Sequence, residues 1–235
     1  MALPRVNTPE YYLELPSTGE KIKYRPFLVK EQKIILMAQD TEKEIELANA
    51  IGKLVSECTF GSIDPNINPL FDLEYVFLQI RGKSVGTKVD LTLTCPDDNK
   101  TTVKYQLDLD DVNVQMIEDH STEIKINENV TVNFRYPILK DMEDLKGSTS
   151  QVDYIFHIMT KCVKSITFGD DVYNKTDISE KDITDFIDEL TNDQFTKIIK
   201  FFDSMPKLRH IIEVTNPKTK VKSEVVLEGL ESFLE

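Results

Sequence analysis

Two nonapeptides set 108 residues apart constrain this chain more than any other feature. The first is Lys53-Leu54-Val55-Ser56-Glu57-Cys58-Thr59-Phe60-Gly61. The second is Lys161-Cys162-Val163-Lys164-Ser165-Ile166-Thr167-Phe168-Gly169. Lys, Val, Thr, Phe and Gly recur in place, and Cys58 is answered by the apolar Ile166. Each reads as the last turns of an amphipathic helix that stops at Gly, the residue that most readily takes positive φ beyond a helix end. A chain that says the same thing twice is expected to fold as one unit repeated.

Periodicity along the chain supports the doubling. The start, through Pro9, reads as an extended arm, since Pro4 and Pro9 disfavour helix. Tyr11–Leu15 and Lys21–Arg25 alternate around Pro16-Ser17-Thr18-Gly19, which predicts a hairpin. Val29–Gln39 reads as a helix. A second helix is expected from Thr41, with Glu44 completing a capping box, to Cys58. Its stripe of Ile45, Leu47, Ala48, Ile51, Leu54, Val55 and Cys58 has helical spacing. Phe71–Arg81 predicts a third helix with an acidic first turn at Asp72 and Glu74. Val85–Thr94 and Val103–Leu109 then alternate across the turn residues Pro96-Asp97-Asp98-Asn99, a second hairpin.

An acidic connector, Asp108–His120, separates this from a second pass. Glu123–Ile126 and Val130–Phe134 read as a hairpin, Met142–Leu145 as a short helix, Gly147–Ser150 as a loop and cap, and Gln151–Ile166 as the long helix answering Ile45–Cys58. Ser179–Leu190 and Thr191–Phe202 read as two further helices. Ile211–Thr215 and Val221–Leu227 form the last hairpin, and the end, Gly229–Leu234, is apolar enough to dock. Tyr24-Arg25-Pro26-Phe27-Leu28-Val29-Lys30 is echoed by Phe134-Arg135-Tyr136-Pro137-Ile138-Leu139-Lys140 at an offset of 110, with the Pro slipped by one. Leu93-Thr94-Cys95-Pro96 is echoed by Val214-Thr215-Asn216-Pro217 at an offset of 121. The expected fold class is therefore α+β, a tandem pseudo-repeat in which each half runs β-hairpin, helices, β-hairpin. The halves are residues 1–115 and 116–235, the second with an insertion near 170–190. Sheets made of hairpins leave open edges, which invite strand addition by a partner.

The balance of 28 basic to 41 acidic residues gives a net charge of −13. That argues against general binding to nucleic acid or anionic membrane, either of which needs a basic footprint. No apolar run approaches the ~18 residues that span a bilayer, so no membrane insertion is expected. The start lacks the basic and apolar pattern of a secretory signal. Three scattered Cys make no disulfide framework. Cys58 and Cys162, on apolar helix faces, read as small buried hydrophobes in a reducing compartment.

Motifs that could carry chemistry fail on spacing. Gly82-Lys83-Ser84 resembles the end of a phosphate-binding loop, but Phe77 stands where the first Gly of the cradle belongs. Arg81 and Lys83 suit a helix C-terminus instead. Asp64-Pro65-Asn66-Ile67-Asn68 starts like a calcium loop, but Pro69 and Tyr75 occupy the Gly and bidentate Glu positions. Asp108, Asp110 and Asp111 fail likewise at Asn113. Cys95-Pro96 lacks the second Cys of a zinc knuckle, and a turn is the better reading. His120, His157 and His210 have no nucleophile pattern beside them. No catalytic residue, cofactor or metal ligand is expected.

Several blocks resemble the baseplate hub proteins of T-even-type contractile-tailed phages. They are Leu15–Gly19, Tyr24-Arg25-Pro26-Phe27-Leu28-Val29-Lys30-Glu31, Phe71–Arg81 with Lys83-Ser84-Val85-Gly86, and Asn216–Thr219 through Leu227–Leu230. The resemblance covers most of the chain, and the run Tyr24–Glu31 is its most specific part. It implies a non-enzymatic protein of the tail baseplate hub, in the host cytoplasm during assembly and in the tail baseplate if retained. Its partners would be other hub or tape-measure proteins. A transient hub or tape-measure chaperone, a hub-associated hydrolase, an adaptor unrelated to phage and self-association into a homo-oligomer stay open. The two halves would present related grooves or sheet edges to these partners. Tyr24, Arg25, Pro26 and Phe27, with Phe71, Tyr75 and Arg81 of the third helix, are the candidate docking residues. The competing reading makes them core and turn residues, and it is favoured, since aromatics at such spacings usually pack.

Overall fold

The computed structural model of the chain describes residues 7–39, 44–143 and 151–233. The arm residue Pro4, the cap at Thr41, Leu145, the loop Gly147–Ser150 and Leu234 lie outside the described residues.

The elements run β1 (Tyr11–Glu14), β2 (Lys21–Tyr24), α1 (Val29–Gln39), α2 (Glu44–Cys58) and α3 (Leu70–Val85). There follow β3 (Lys88–Thr94), β4 (Thr102–Asp108), β5 (Asn113–Gln115), β6 (Glu123–Lys125), β7 (Val130–Phe134), α4 (Leu139–Glu143) and α5 (Gln151–Cys162). The chain continues as β8 (Val163–Phe168), β9 (Asp171–Asn174), α6 (Glu180–Asp188), α7 (Asn192–Ser204), β10 (Lys207–Thr215) and β11 (Lys222–Glu228). All strand pairings are antiparallel, and the fold class is α+β. No helix among the described residues is long and apolar enough to cross a membrane.

Two compact units form, Met1–Gln115 with Lys207–Glu235, and Met116–Pro206. In the first, β1 pairs with β2, β3 with β4, and β10 lies between β11 and β5. The β1–β2 turn closes at Gly19, whose φ of 69° suits glycine and whose N–H donates to the Leu15 carbonyl at 2.8 Å. The stripe expected on α2 is buried at Ile51, Leu54, Val55 and Cys58. Helix α3 buries Phe71, Leu73, Val76, Phe77, Leu78 and Ile80, which is apolar on more than one face. Such a helix belongs inside a core rather than against one.

The second unit is a four-stranded sheet of order β6-β7-β8-β9 packed with helices. Its core joins Val132 and Phe134 of β7, Met159 of α5, Ile183 of α6 and Ile198 and Phe201 of α7. Phe201 stacks on Phe134 with ring centroids 4.9 Å apart. Helices α6 and α7 each open with a full capping box, Ser179 with Asp182 and Thr191 with Gln194. Each box satisfies helix-start N–H groups that would otherwise lack a partner.

Three expectations need correction. The helix read over Gln151–Ile166 ends at Cys162, and Val163–Phe168 is a strand. Val163, Ile166, Thr167 and Phe168 are β-branched or aromatic, and β7 offers them a partner in which Val132 faces Ile166 and Val130 faces Phe168. Gly169 (φ 59°) therefore turns a hairpin into β9, whereas Gly61 (φ 81°) follows the end of α2. Val85 ends α3 rather than opening a strand. The acidic connector is ordered: Leu109 and Val112 are each 1% exposed, and β5 follows them. Because β5 pairs with β10, residues 207–235 group with the first 115 rather than with 116–206.

Candidate functional site

The residues singled out around Tyr24 sit at a junction. Tyr24 ends β2 and is 2% exposed, so its ring is core. Burial pushes its hydroxyl up to about 12. Arg25 follows, and its backbone N–H donates to the Cys58 carbonyl at 3.0 Å, one of the carbonyls that the end of α2 leaves without a helical partner. Its guanidinium donates to the Pro26 carbonyl and to the Glu31 carboxylate, each at 3.0 Å. Glu31 lies in the first turn of α1 and is 1% exposed. Its other oxygen accepts from the Leu28 N–H just ahead of the helix, the reach-back half of a capping box. Lys30 Nζ approaches the same carboxylate at 3.2 Å. Burial opposes the charge on both groups. The bonds of the pair outweigh it, raising Arg25 and holding the Glu31 carboxyl below the usual carboxylate range.

Phe27, half-buried, donates its N–H to Ser84 Oγ at 3.0 Å, and Ser84 Oγ donates to the Ile80 carbonyl. The connector Arg25–Phe27 thus ties β2 to α1, α2 and α3. At the other end of α3, Asp72 is fully buried and accepts from both the N–H and the hydroxyl of Ser17 in the β1–β2 turn. Burial raises its carboxyl pKa, which the two Ser17 bonds only partly offset.

The second unit carries the same arrangement. The Arg135 N–H donates to the Cys162 carbonyl at 2.8 Å. The guanidinium donates to the Tyr136 carbonyl at 3.0 Å and to both Asp141 oxygens at 2.6 and 2.8 Å. Asp141, in the first turn of α4, accepts from the Ile138 N–H at 2.9 Å. The Asp141 bond raises the Arg135 pKa against the opposing effect of burial. Residue for residue, Arg25, Leu28 and Glu31 correspond to Arg135, Ile138 and Asp141 at the offset of 110 seen in sequence. Cys58 corresponds to Cys162 at an offset of 104, not to Ile166 at 108. Both cysteines are free and fully buried, and burial pushes their thiols up to about 11 and about 12. The turns after β3 and β10 also match: Asn99 donates to the Cys95 carbonyl and Lys220 to the Asn216 carbonyl, each at 2.9 Å, with φ of 52° and 66°. Asp97 joins these two turns, accepting from Asn216 Nδ2 and Thr219 Oγ1.

Of the sequence candidates, Tyr24 and Phe71 are buried, while Arg25, Pro26, Phe27, Tyr75 and Arg81 are partly so. The structure brings Tyr24–Phe27 and α3 together through Ser84. Arg81 Nη1 is buried with no hydrogen-bond partner among the described residues, and burial lowers its pKa. Sequence reasoning missed Glu31 and Asp141 as partners of the two arginines. The signal was present, an acidic residue six positions after each Arg.

Comparison with known proteins supplies the class, that of phage tail structural proteins. The model of the family described as T4 bacteriophage base plate protein matches residues 8–235, nearly the whole length. The chain belongs to that family and has a structural role in the phage baseplate. No curated protein and no solved structure matches it.

Proposed function

We propose that the chain is a non-enzymatic structural or assembly protein of the baseplate hub, acting by protein–protein binding. The family match over residues 8–235 is the observation that carries this reading. A second strand of the proposal is that the chain is one ancestral unit written twice. The repeated bonding of Arg25 and Arg135 supports it, as does the order hairpin, two helices, a later helix and hairpin in both passes. On this reading β8, β9 and α6 are the second copy's insertion, and the final hairpins of both copies lie in the first unit.

Buried and half-buried polar groups hold elements together: Arg25, Glu31, Asp72, Arg135 and Asp141 are each bonded within the chain. That use suits a scaffold that presents surfaces, with other hub or tape-measure proteins as partners. The protein works in the host cytoplasm during assembly, and a structural component then stays in the tail baseplate while a chaperone leaves. Affinity capture of the tagged protein from infected cells, set beside the protein content of finished particles, tests both points. Capture of hub proteins together with presence in particles is expected of a structural component. Capture with absence from particles identifies a chaperone, and failure to bind any baseplate protein overturns the reading.

A further inference from the structure

The segment that interrupts the second pass has a surface of its own. Strand β9 is an edge of the four-stranded sheet. Its pairing sets Phe168 against Asp171 and Ile166 against Tyr173, and the Lys175 N–H donates to the Lys164 carbonyl at 3.0 Å. In antiparallel pairs the residues that face their backbone groups to the neighbour alternate. Residues 171, 173 and 175 therefore bond toward β8, and Val172 turns its N–H and carbonyl to the open edge. Beside that edge lies an apolar cavity of about 260 Å3, floored by Val130, Ile166, Phe168 and Tyr173 and walled by Ile178, Asp182 and Phe186. Phe168 and Tyr173 are 57% and 45% exposed, so the cavity reaches solvent at these two rings.

Charge decides what fits. Residues 170–193 hold nine Asp or Glu and two Lys, a net −7 within a chain of −13. One of those lysines, Lys175, donates to the Thr160 carbonyl at 2.9 Å and is turned inward. Asp171 shares the sheet face of Phe168 and Tyr173 by register, and Asp182 lies in the cavity wall. A second copy of this chain would bring the same acidic segment against this one, and like charges set across an interface are unfavourable.

We propose that β9 accepts an extended segment of another protein, carrying apolar and basic residues on one and the same face, as an added strand. Its main chain bonds to Val172, its apolar side chains enter the cavity over Phe168 and Tyr173, and its basic side chains, two residues along on the same face, meet Asp171 and Asp182. Strand addition takes affinity from main-chain bonds and specificity from pockets for alternate side chains. The proposal deepens the assembly reading and rests on it for the partner's identity as a tail protein.

The test uses the full chain and a short synthetic lysine–valine peptide, with lysine and valine taking turns at every second position and threonine between them so that both face the cavity, and a glutamate–valine peptide of the same design as control, read by backbone amide NMR titration. The lysine–valine peptide is expected to shift Val172, Tyr173 and Phe186 and to bind more tightly than the control. Val172→Pro removes the outward N–H at an edge position that tolerates proline, and should weaken binding roughly tenfold. Asp171→Lys, at an exposed position, should weaken it by a similar factor. Equal binding of both peptides, shifts confined to other residues, or unchanged affinity in both variants would overturn the proposal. If the peptide binds here but the chain captures no baseplate protein, the assembly reading fails and the strand site stands. If baseplate capture is indifferent to both variants, the strand site is wrong and the assembly reading stands.

Discussion

The arginine junctions of the two units use the same bonds at different depths. In the first, Arg25 and Glu31 side chains are 13% and 1% exposed; in the second, Arg135 and Asp141 are 36% and 5% exposed. Arg25 reaches Glu31 through one nitrogen and shares it with Lys30, whereas Arg135 grips the shorter Asp141 with two. Common to both are the bond from the Arg N–H to the carbonyl of Cys58 or Cys162 and the bond from the guanidinium to the carbonyl of the residue after the Arg. What persists is thus the grip of each arginine on two main-chain carbonyls, while the ion pair adapts to its surroundings. The deeper pair is the one whose partners cannot turn to water if it is broken.

That contrast can be broken by mutation. Glu31→Ala leaves Arg25 charged, nearly buried and unpaired, and should cost about 3 kcal/mol by urea denaturation. Asp141→Ala should cost less, ~1–2 kcal/mol, because Arg135 is over a third exposed and water screens the loss. Equal costs would show that depth is not what separates the junctions.

Acid titration sharpens the comparison within the first unit. The folded Glu31 carboxyl lies below its unfolded value. Its stabilisation is in force above the unfolded value and is lost as pH falls through the folded one. Asp72 is raised by burial, so its stabilising share is present below the unfolded value and is lost as pH rises through the folded one. Over about pH 3 to 6, the stability gap between wild type and Glu31→Gln should widen with rising pH. For Asp72→Asn the gap should narrow. Unfolding free energy measured at steps of pH reads both slopes. The smallest effect is chemical. The raised thiols of Cys58 and Cys162 should resist alkylation near pH 8 in the folded protein and react once urea unfolds it, followed by mass spectrometry.

Hairpins and α1, α2 and α3 were legible because period and turn residues agreed, as in Leu13 facing Ile22 across Pro16–Gly19. Strand β8 was not, because Val163-Lys164-Ser165-Ile166 carries an apolar spacing that suits either element, and only pairing with β7 decides. The two nonapeptides match at an offset of 108, whereas the bonded equivalence of Cys58 and Cys162 runs through carbonyls that leave no mark in side-chain sequence. At the junctions the arginines were visible, but Glu replaced by Asp hid their shared partner. The pairing of β5 with β10 joins strands nearly a hundred residues apart, which no local pattern announces.

That same pairing sets a timetable for synthesis. Residues 116–206 emerge from the ribosome as one uninterrupted stretch and can close their core as soon as they are out. Gln115 must wait for Lys207, so the earlier-made unit finishes last. A nascent chain paused before that point carries an unfinished sheet margin among its own siblings.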